Sequence, residues 1–240
     1  MTSNSRGQVK PLIPFCSSDK ILFVGEGNFS FAASCVENHL EHGENVVATS
    51  LDDESTLLEK YTDAGTFVET IRDCCGTVLH SIDATRLHEK FAVAEFDVCI
   101  FMFPHVAAGI ADEARNVLTN QKMLTAFFKS VQQVIQPHGV VAVTLAVSKT
   151  YDLWDLKNLG KSQGLVVKTS GVFNGKDYPG YEHRRTQGRE KSDTGFSSGK
   201  GEERTARWTI FTKMDAKDKL STLPSRSTER GDDLSDDSVD

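Results

Sequence analysis

Two glycines flanking a carboxylate, Gly25-Glu26-Gly27, close the apolar run Ile21-Leu22-Phe23-Val24 and open onto Asn28-Phe29-Ser30-Phe31, where helical spacing begins. A turn of this composition suits a nucleotide-like cofactor. Without Cβ atoms the backbone comes close to a ligand, and the first turn of the following helix offers unpaired N–H donors. A bare Gly-x-Gly is equally compatible with a tight turn, and Ser30 stands where the dinucleotide fingerprint has its third glycine. Three further polar positions follow apolar stretches in the same way: Asp52 after 45–51, Asp83 after Val78–Ile82, and Pro104-His105 after Phe96–Phe103. A carboxylate after the second strand can accept from both ribose hydroxyls, and one after the third can accept from an adenine amine. The competing role for Asp52 and Asp83 is helix capping; together with the glycine turn they favour a cofactor site. An NAD dehydrogenase would also place an acid after its second strand. Glu26 tilts the reading toward S-adenosylmethionine, because a carboxylate inside the glycine turn repels a pyrophosphate and suits a cationic ligand.

The elements that must position these residues alternate. Strands are expected at Ile21–Val24, Asn45–Leu51, Val78–Ile82, Phe96–Phe103, Val140–Val147, Gly164–Val172 and Arg207–Lys213. Helical spacing falls between them at Ser30 to about His42, after Asp52-Asp53, at Val68–Cys75, at Asn120–Gln136 and at Asp155–Ser162. Alternation of this kind implies an α/β fold with a mostly parallel, seven-stranded sheet and helices on both faces. Ligands in such folds bind at the carboxyl ends of the strands. In the last strand Trp208 and Ile210 share one face and Phe211 takes the other, so both sides are expected to meet apolar neighbours.

A chain of 240 residues fits one such domain with tails. Residues 1–19 read as an extended lead-in, 20–213 as the domain, and 214–240, with four basic against eight acidic residues, as a disordered acidic tail. Within the domain a Gly/Ser/charge-rich insert spans 176–203 and is expected to be flexible; residues 176–213 carry nine basic against six acidic residues, which suggests a phosphate-bearing partner. No apolar run reaches the ~20 residues that cross a bilayer, and no secretory leader is recognisable. The five cysteines form no Cys-x-x-Cys pair, and only His39 and His42 could share a helix face, so neither a disulfide framework nor a metal site is expected.

The chain resembles a known family. Val24-Gly25-Glu26-Gly27-Asn28-Phe29-Ser30-Phe31, Ala48-Thr49-Ser50-Leu51-Asp52, Leu79-His80-Ser81-Ile82-Asp83-Ala84-Thr85, Phe103-Pro104-His105, Asn120-Gln121, Phe127-Phe128-Lys129 and Tyr178-Pro179-Gly180-Tyr181-Glu182-His183-Arg184-Arg185-Thr186 are similar, in order, to the 25S ribosomal RNA uridine-N(3)-methyltransferase-like domain. The resemblance covers about residues 20–213. It implies a Rossmann-like methyltransferase fold, S-adenosylmethionine as cofactor, RNA, chiefly rRNA, as partner, and a nucleolar or nuclear setting, with the cytoplasm as the alternative. It further implies that Gly25, Glu26, Gly27 and Asn28 hold the methionine part of the cofactor, Asp52 the ribose and Asp83 the adenine, while Phe103, Pro104 and His105 face the target base. One position departs: the family pattern has asparagine before Phe-Pro-His, and this chain has Met102, whose thioether cannot supply the amide's hydrogen bonds.

Uracil chemistry adds a role. Its N3 proton must leave before or as the nitrogen attacks a methyl group, which asks for an acceptor of near-neutral pKa; His105 is the candidate, with a purely structural bond to its own loop as the alternative. An unpaired base would stack on Phe103, Tyr151 or Trp154, with a core position the alternative for each. The run Tyr178, Tyr181, His183, Arg184 and Arg185 mixes aromatic and cationic side chains suited to RNA, or else forms a solvated turn. A methyltransferase-fold module that binds RNA or protein without catalysis is the competing function.

Overall fold

The computed structural model describes residues 13–106, 109–184, 190–192, 195–197 and 205–214. Arg185, the lead-in residues 1–12, the tail 215–240 and the insert positions 185–189, 193–194 and 198–204 lie outside the described residues.

The chain runs β1 (Ile21–Val24), α1 (Ser30–Asn38), β2 (Val46–Thr49), α2 (Glu54–Lys60), α3 (Ala64–Asp73), β3 (Thr77–Leu79), a 3-10 turn at Ala84–Glu89, β4 (Phe96–Met102), α4 (Glu113–Val134), β5 (Ile135–Ala146), α5 (Lys149–Asp152), α6 (Leu156–Ser162), β6 (Leu165–Phe173), β7 (Glu190–Ser192), β8 (Gly195–Ser197) and β9 (Ala206–Lys213). Seven strands form one sheet in the order β3-β2-β1-β4-β5-β9-β6, and β7 pairs with β8 in a separate hairpin. Strands β1 to β5 pair in parallel, whereas β9 runs antiparallel to both β5 and β6. The sheet is therefore mixed, with one reversed strand slotted in after the long connection from β6.

Strand alternation divides the core into two layers. Ile21 and Phe23 of β1, with Val98 and Ile100 of β4, pack against α1 and α3; Leu22, Val24, Cys99 and Phe101 pack against α4. In β9, Trp208 and Ile210 enter the first layer and Phe211 the second, as the alternation requires. Helix α4 starts seven residues before the expected Asn120, because Asp112 accepts the Arg115 backbone N–H at 2.7 Å and caps it. Helix α1 ends at Asn38 rather than near His42. The lead-in contributes Phe15, buried edge-on against Phe23, so residues next to the sheet are part of the core. The first stretch of the insert, 176–184, likewise packs on the domain, with Tyr178 buried against Phe173.

Since β1 to β4 are parallel, their carboxyl ends share one rim. The strand order reverses between β1 and β4, which β3 reaches by crossing over the sheet. A crevice opens at such a reversal, and Gly25–Gly27 and Phe103–His105 stand on its two sides.

Candidate active site

The glycine turn is held by close packing and by its neighbour strand. Gly25 has φ +66, and a Cβ there would come within 2.5 Å of the Phe101 ring, so only glycine fits. The Glu26 N–H donates to the Thr49 carbonyl at the end of β2, at 2.9 Å. The Glu26 side chain turns inward and Oε2 accepts the Ala32 N–H, 3.3 Å away, inside the first turn of α1. Burial pushes its carboxyl up to about 7, a rise opposed by that hydrogen bond. The structure thus corrects one expectation: Glu26 is not an open anion displayed in the turn but a buried group poised between its two protonation states at neutral pH. Asn28 is buried too, its Oδ1 accepting the Ser30 N–H and its Nδ2 donating to Asp63.

At the end of β2 the two adjacent aspartates divide their work. Asp53 caps α2, accepting from the Thr56 N–H and from the Ser55 and Thr56 hydroxyls, which hold its carboxyl well below the usual range. Asp52 is thereby left half-buried at the rim, paired with Lys60 at 2.6 Å. The Ser50 hydroxyl donates to the Asp52 carbonyl and lies 3.1 Å from His80 Nδ1, while the Ile82 N–H donates to the Ser50 carbonyl, so the β2 and β3 ends are stitched together. Asp83 is exposed and does cap the 3-10 turn, with Oδ1 accepting from the Thr85 N–H and hydroxyl.

The β4 end is strained. Phe103 sits at φ +47, a left-handed conformation that a bulky residue rarely adopts, fixed by its N–H bond to the Thr144 carbonyl at 2.9 Å. Its ring lies 4.2 Å from the His183 ring and 5.8 Å from Phe173. His105 faces elsewhere, 5.8 Å from the Trp154 ring, and burial pushes its imidazole below the ordinary histidine value. Between them Pro104 is buried. The loop is tied down by Asn120 of α4, whose Oδ1 accepts the Val106 N–H at 2.8 Å and whose Nδ2 donates to Asn116. Trp154 is 1% exposed, so it serves as a wall behind His105 and not as a stacking platform. Met102 is buried in the first core layer, which places its thioether among apolar side chains rather than at the rim.

The segment 175–184 supplies the largest correction. Tyr178 is 2% exposed, stacked on Phe173 at 5.6 Å and tilted against Phe31 at 4.8 Å. Tyr181 packs edge-on against Phe31. Ser30 and Glu182 exchange hydrogen bonds, and His39 Nε2 lies 2.8 Å from the Asp177 carbonyl. The Arg184 guanidinium is ion-paired with Asp63 and Glu182. Tyr178, Tyr181 and Arg184 therefore fasten this segment over α1 and the glycine turn and offer RNA no open stacking or phosphate-binding group; a polar sequence run hides an aromatic core contact. His183, beside Phe103, is the described member of this set that reaches the β4 loop.

Residues from these loops meet beside Gly27. A Cβ placed there would lie 3.6 Å from the Tyr61 hydroxyl and 3.8 Å from Arg184 Cβ, ordinary contact distances. Burial, and secondarily the Asp52 charge, push the Tyr61 hydroxyl up to about 12, with Arg184 acting in the opposite sense. Two buried polar atoms at this rim, His80 Nε2 and Arg184 Nε, have no partner among the described residues. Bare backbone at Gly27, a half-buried carboxylate at Asp52 and unpartnered nitrogens on His80 and Arg184 fit the polar groups of an adenosyl amino acid. Tyr61 and Asp63 belong to no spacing that chemistry requires and were not legible in the sequence, while Asn120 entered it only within the Asn120-Gln121 motif and without a role. Among the described residues, no cluster of three or more histidine, cysteine or acidic side chains could hold a metal, and no helix is long and apolar enough to cross a membrane.

An uncharacterized Arabidopsis thaliana protein is 29% identical over 77% of this chain and 90% of its own length. The Saccharomyces cerevisiae 25S rRNA (uridine(2634)-N(3))-methyltransferase is 27% identical over 84% of this chain and 75% of its length. The solved structure of TrmN from Thermus thermophilus aligns at a TM-score of 0.46 and 16% identity, over 81% of this chain and 43% of that one. Residues 22–185 match the BMT5-like family, described as rRNA (uridine-N3-)-methyltransferase, and that span contains the glycine turn, Asp52, Asp83 and the Phe103–His105 loop. The chain belongs to this BMT5-like family of rRNA (uridine-N3-)-methyltransferases.

Proposed function

We propose that the protein methylates N3 of a uridine in ribosomal RNA, with S-adenosylmethionine held along the rim and the base presented at the β4 loop. The observation that carries this reading is the meeting of the glycine turn and the Phe103–His105 loop on the two sides of the β1/β4 reversal, in a chain of this family. When bound, S-adenosylmethionine supplies an electrophilic methyl group on a sulfonium. Gly25 and Gly27 keep the backbone open to the methionine part, and Glu26 and Asn28 shape the turn from beneath. Asp52 accepts from the ribose and Asp83 from the adenine amine.

The base-side residues divide the remaining work. Phe103 presents a ring at the mouth of the crevice against which an unpaired base stacks, with His183 beside it. His105, neutral at physiological pH because of its burial, accepts the N3 proton. Pro104 and Asn120 hold the loop that carries both residues, and placement of the reacting groups is worth large factors in rate. RNA phosphates fall to cationic groups outside the Arg184 pair, Arg185 among them. A nucleolar or nuclear site of action follows from the rRNA substrate.

The test is transfer of labelled methyl from S-adenosylmethionine to ribosomal RNA, followed by nucleoside analysis. The expected product is 3-methyluridine. Label on any other nucleoside overturns the base assignment, and absence of label supports the noncatalytic binding module.

A further inference from the structure

The Arg184–Asp63 pair beside Gly27 invites a role that its sequence context does not suggest. Arg184 is 10% exposed, yet its two ion pairs, to Asp63 and Glu182, both fall on Nη2. Its Nε is buried with no partner among the described residues. A guanidinium presents donors in a fixed fork that matches a carboxylate, so a buried Nε without a partner beside an engaged Nη2 is the unsatisfied half of such a fork. Asp63 is more open, at 37% side-chain exposure, and is steadied by Asn28 Nδ2 at 3.2 Å. Both lie against the turn: Asn28 follows Gly27 directly, and Arg184 Cβ is 3.8 Å from where a Gly27 Cβ would stand.

A buried cation next to a part-exposed anion is the complement of a zwitterion. We infer that Arg184 and Asp63 form the receptor for the amino-acid end of the cofactor, Arg184 taking the carboxylate and Asp63 the ammonium. This rests on the proposal that S-adenosylmethionine is the cofactor. In the free protein the two side chains satisfy each other. On binding, one internal pair is exchanged for two pairs to the ligand, while Glu182 stays on the guanidinium and keeps its charge balanced. Tyr61, whose hydroxyl would lie 3.6 Å from a Gly27 Cβ, feels the charges of both Asp52 and Arg184 and so stands near both the ribose side and the amino-acid end.

The segment 175–184 then has a reason to be pinned so firmly onto α1. Tyr178, Tyr181 and the Ser30–Glu182 bonds fix the point from which Arg184 reaches over the glycine turn. Arg184 is thus a cofactor-binding residue delivered from the far end of the chain, and not a contact to RNA.

Two ligands isolate the claim: S-adenosylhomocysteine and 5′-methylthioadenosine, which share adenine, ribose and thioether but differ in the amino-acid end. Binding is measured by calorimetry on the full chain and on the R184Q and D63N variants, with thermal melting as a check on folding. The wild type is expected to prefer S-adenosylhomocysteine by at least about 100-fold, and each variant to lose about 10- to 100-fold of that affinity while methylthioadenosine binding stays within about twofold. Equal loss of both ligands would make the pair a structural latch and overturn the inference. A wild type that binds both ligands alike would overturn it without recourse to any variant, leaving the adenosyl site intact. Binding of neither ligand would instead remove the cofactor assignment itself, and the inference with it.

Discussion

The role proposed for His105, accepting the uridine N3 proton, depends on where its side chain sits. Burial against Trp154 disfavours the imidazolium and lowers its pKa. A base must be unprotonated to act, so methyl transfer is expected to be complete above the His105 pKa and to fall only on the acid side, below the ordinary histidine range. His105→Ala should reduce turnover by about 100-fold and abolish that acid limb while leaving S-adenosylhomocysteine affinity unchanged. A pH–rate profile of both proteins checks this. Glu26 works in the opposite sense on stability. Its folded pKa is raised from 4.5 to about 7, so the folded form holds its proton where the unfolded form has lost it. The stabilisation is full below 4.5 and is lost as pH rises to 7, about 3 kcal/mol in all. Denaturant titrations of the ligand-free protein at several pH values should show this slope, and Glu26→Gln should flatten it. The sequence placed Glu26 in the turn, but not its direction. A residue between two glycines can face either side of the chain, and the inward choice is set by the hydrogen bond from the Ala32 N–H.

At the scale of elements, the β4 loop depends on α4. Asn120 is 1% exposed and its Oδ1 is the acceptor for the Val106 N–H. Asn120→Ala leaves that N–H without its acceptor, at a cost of about 1–3 kcal/mol. Its expected signature is a turnover about 10-fold lower at unchanged cofactor affinity, since the loop holds Phe103 and His105 but not the adenosyl end; single-turnover kinetics beside a binding isotherm separate the two. Strands were the most legible elements, because buried β4 and alternating β9 leave a pattern that survives in one dimension. The segment 175–184 was not legible. Its two tyrosines and Arg184 are interleaved with Pro179, Gly180 and Glu182 as in a surface loop, and only the tertiary fold shows that Phe31, Phe173 and Asp63 await them. Likewise the early start of α4 depends on the Asp112 cap, a signal that precedes the apolar periodicity by a full two turns.

For the whole molecule, the parallel set β3-β2-β1-β4 does what no single motif can: it brings Gly27, Asp52, Asp83 and His105, far apart in the chain, to one rim. That set is braced by the α4 layer, where Phe127 is fully buried against Phe101 at 5.0 Å. Phe127→Ala should cost about 3–5 kcal/mol, seen as a lower denaturation midpoint with the same slope, and should not alter the order of ligand preference. The account as a whole turns on Gly27. Its backbone is not left-handed and an added methyl would meet only ordinary contacts in the free protein, so Gly27→Ala should melt within a few degrees of the wild type. The same methyl would stand where the proposed cofactor would approach the backbone. Calorimetric titration with S-adenosylhomocysteine is therefore the most direct measurement: binding to the wild type and a loss of about 10-fold or more in Gly27→Ala are predicted, and equal binding by the two proteins would contradict a cofactor site at this rim.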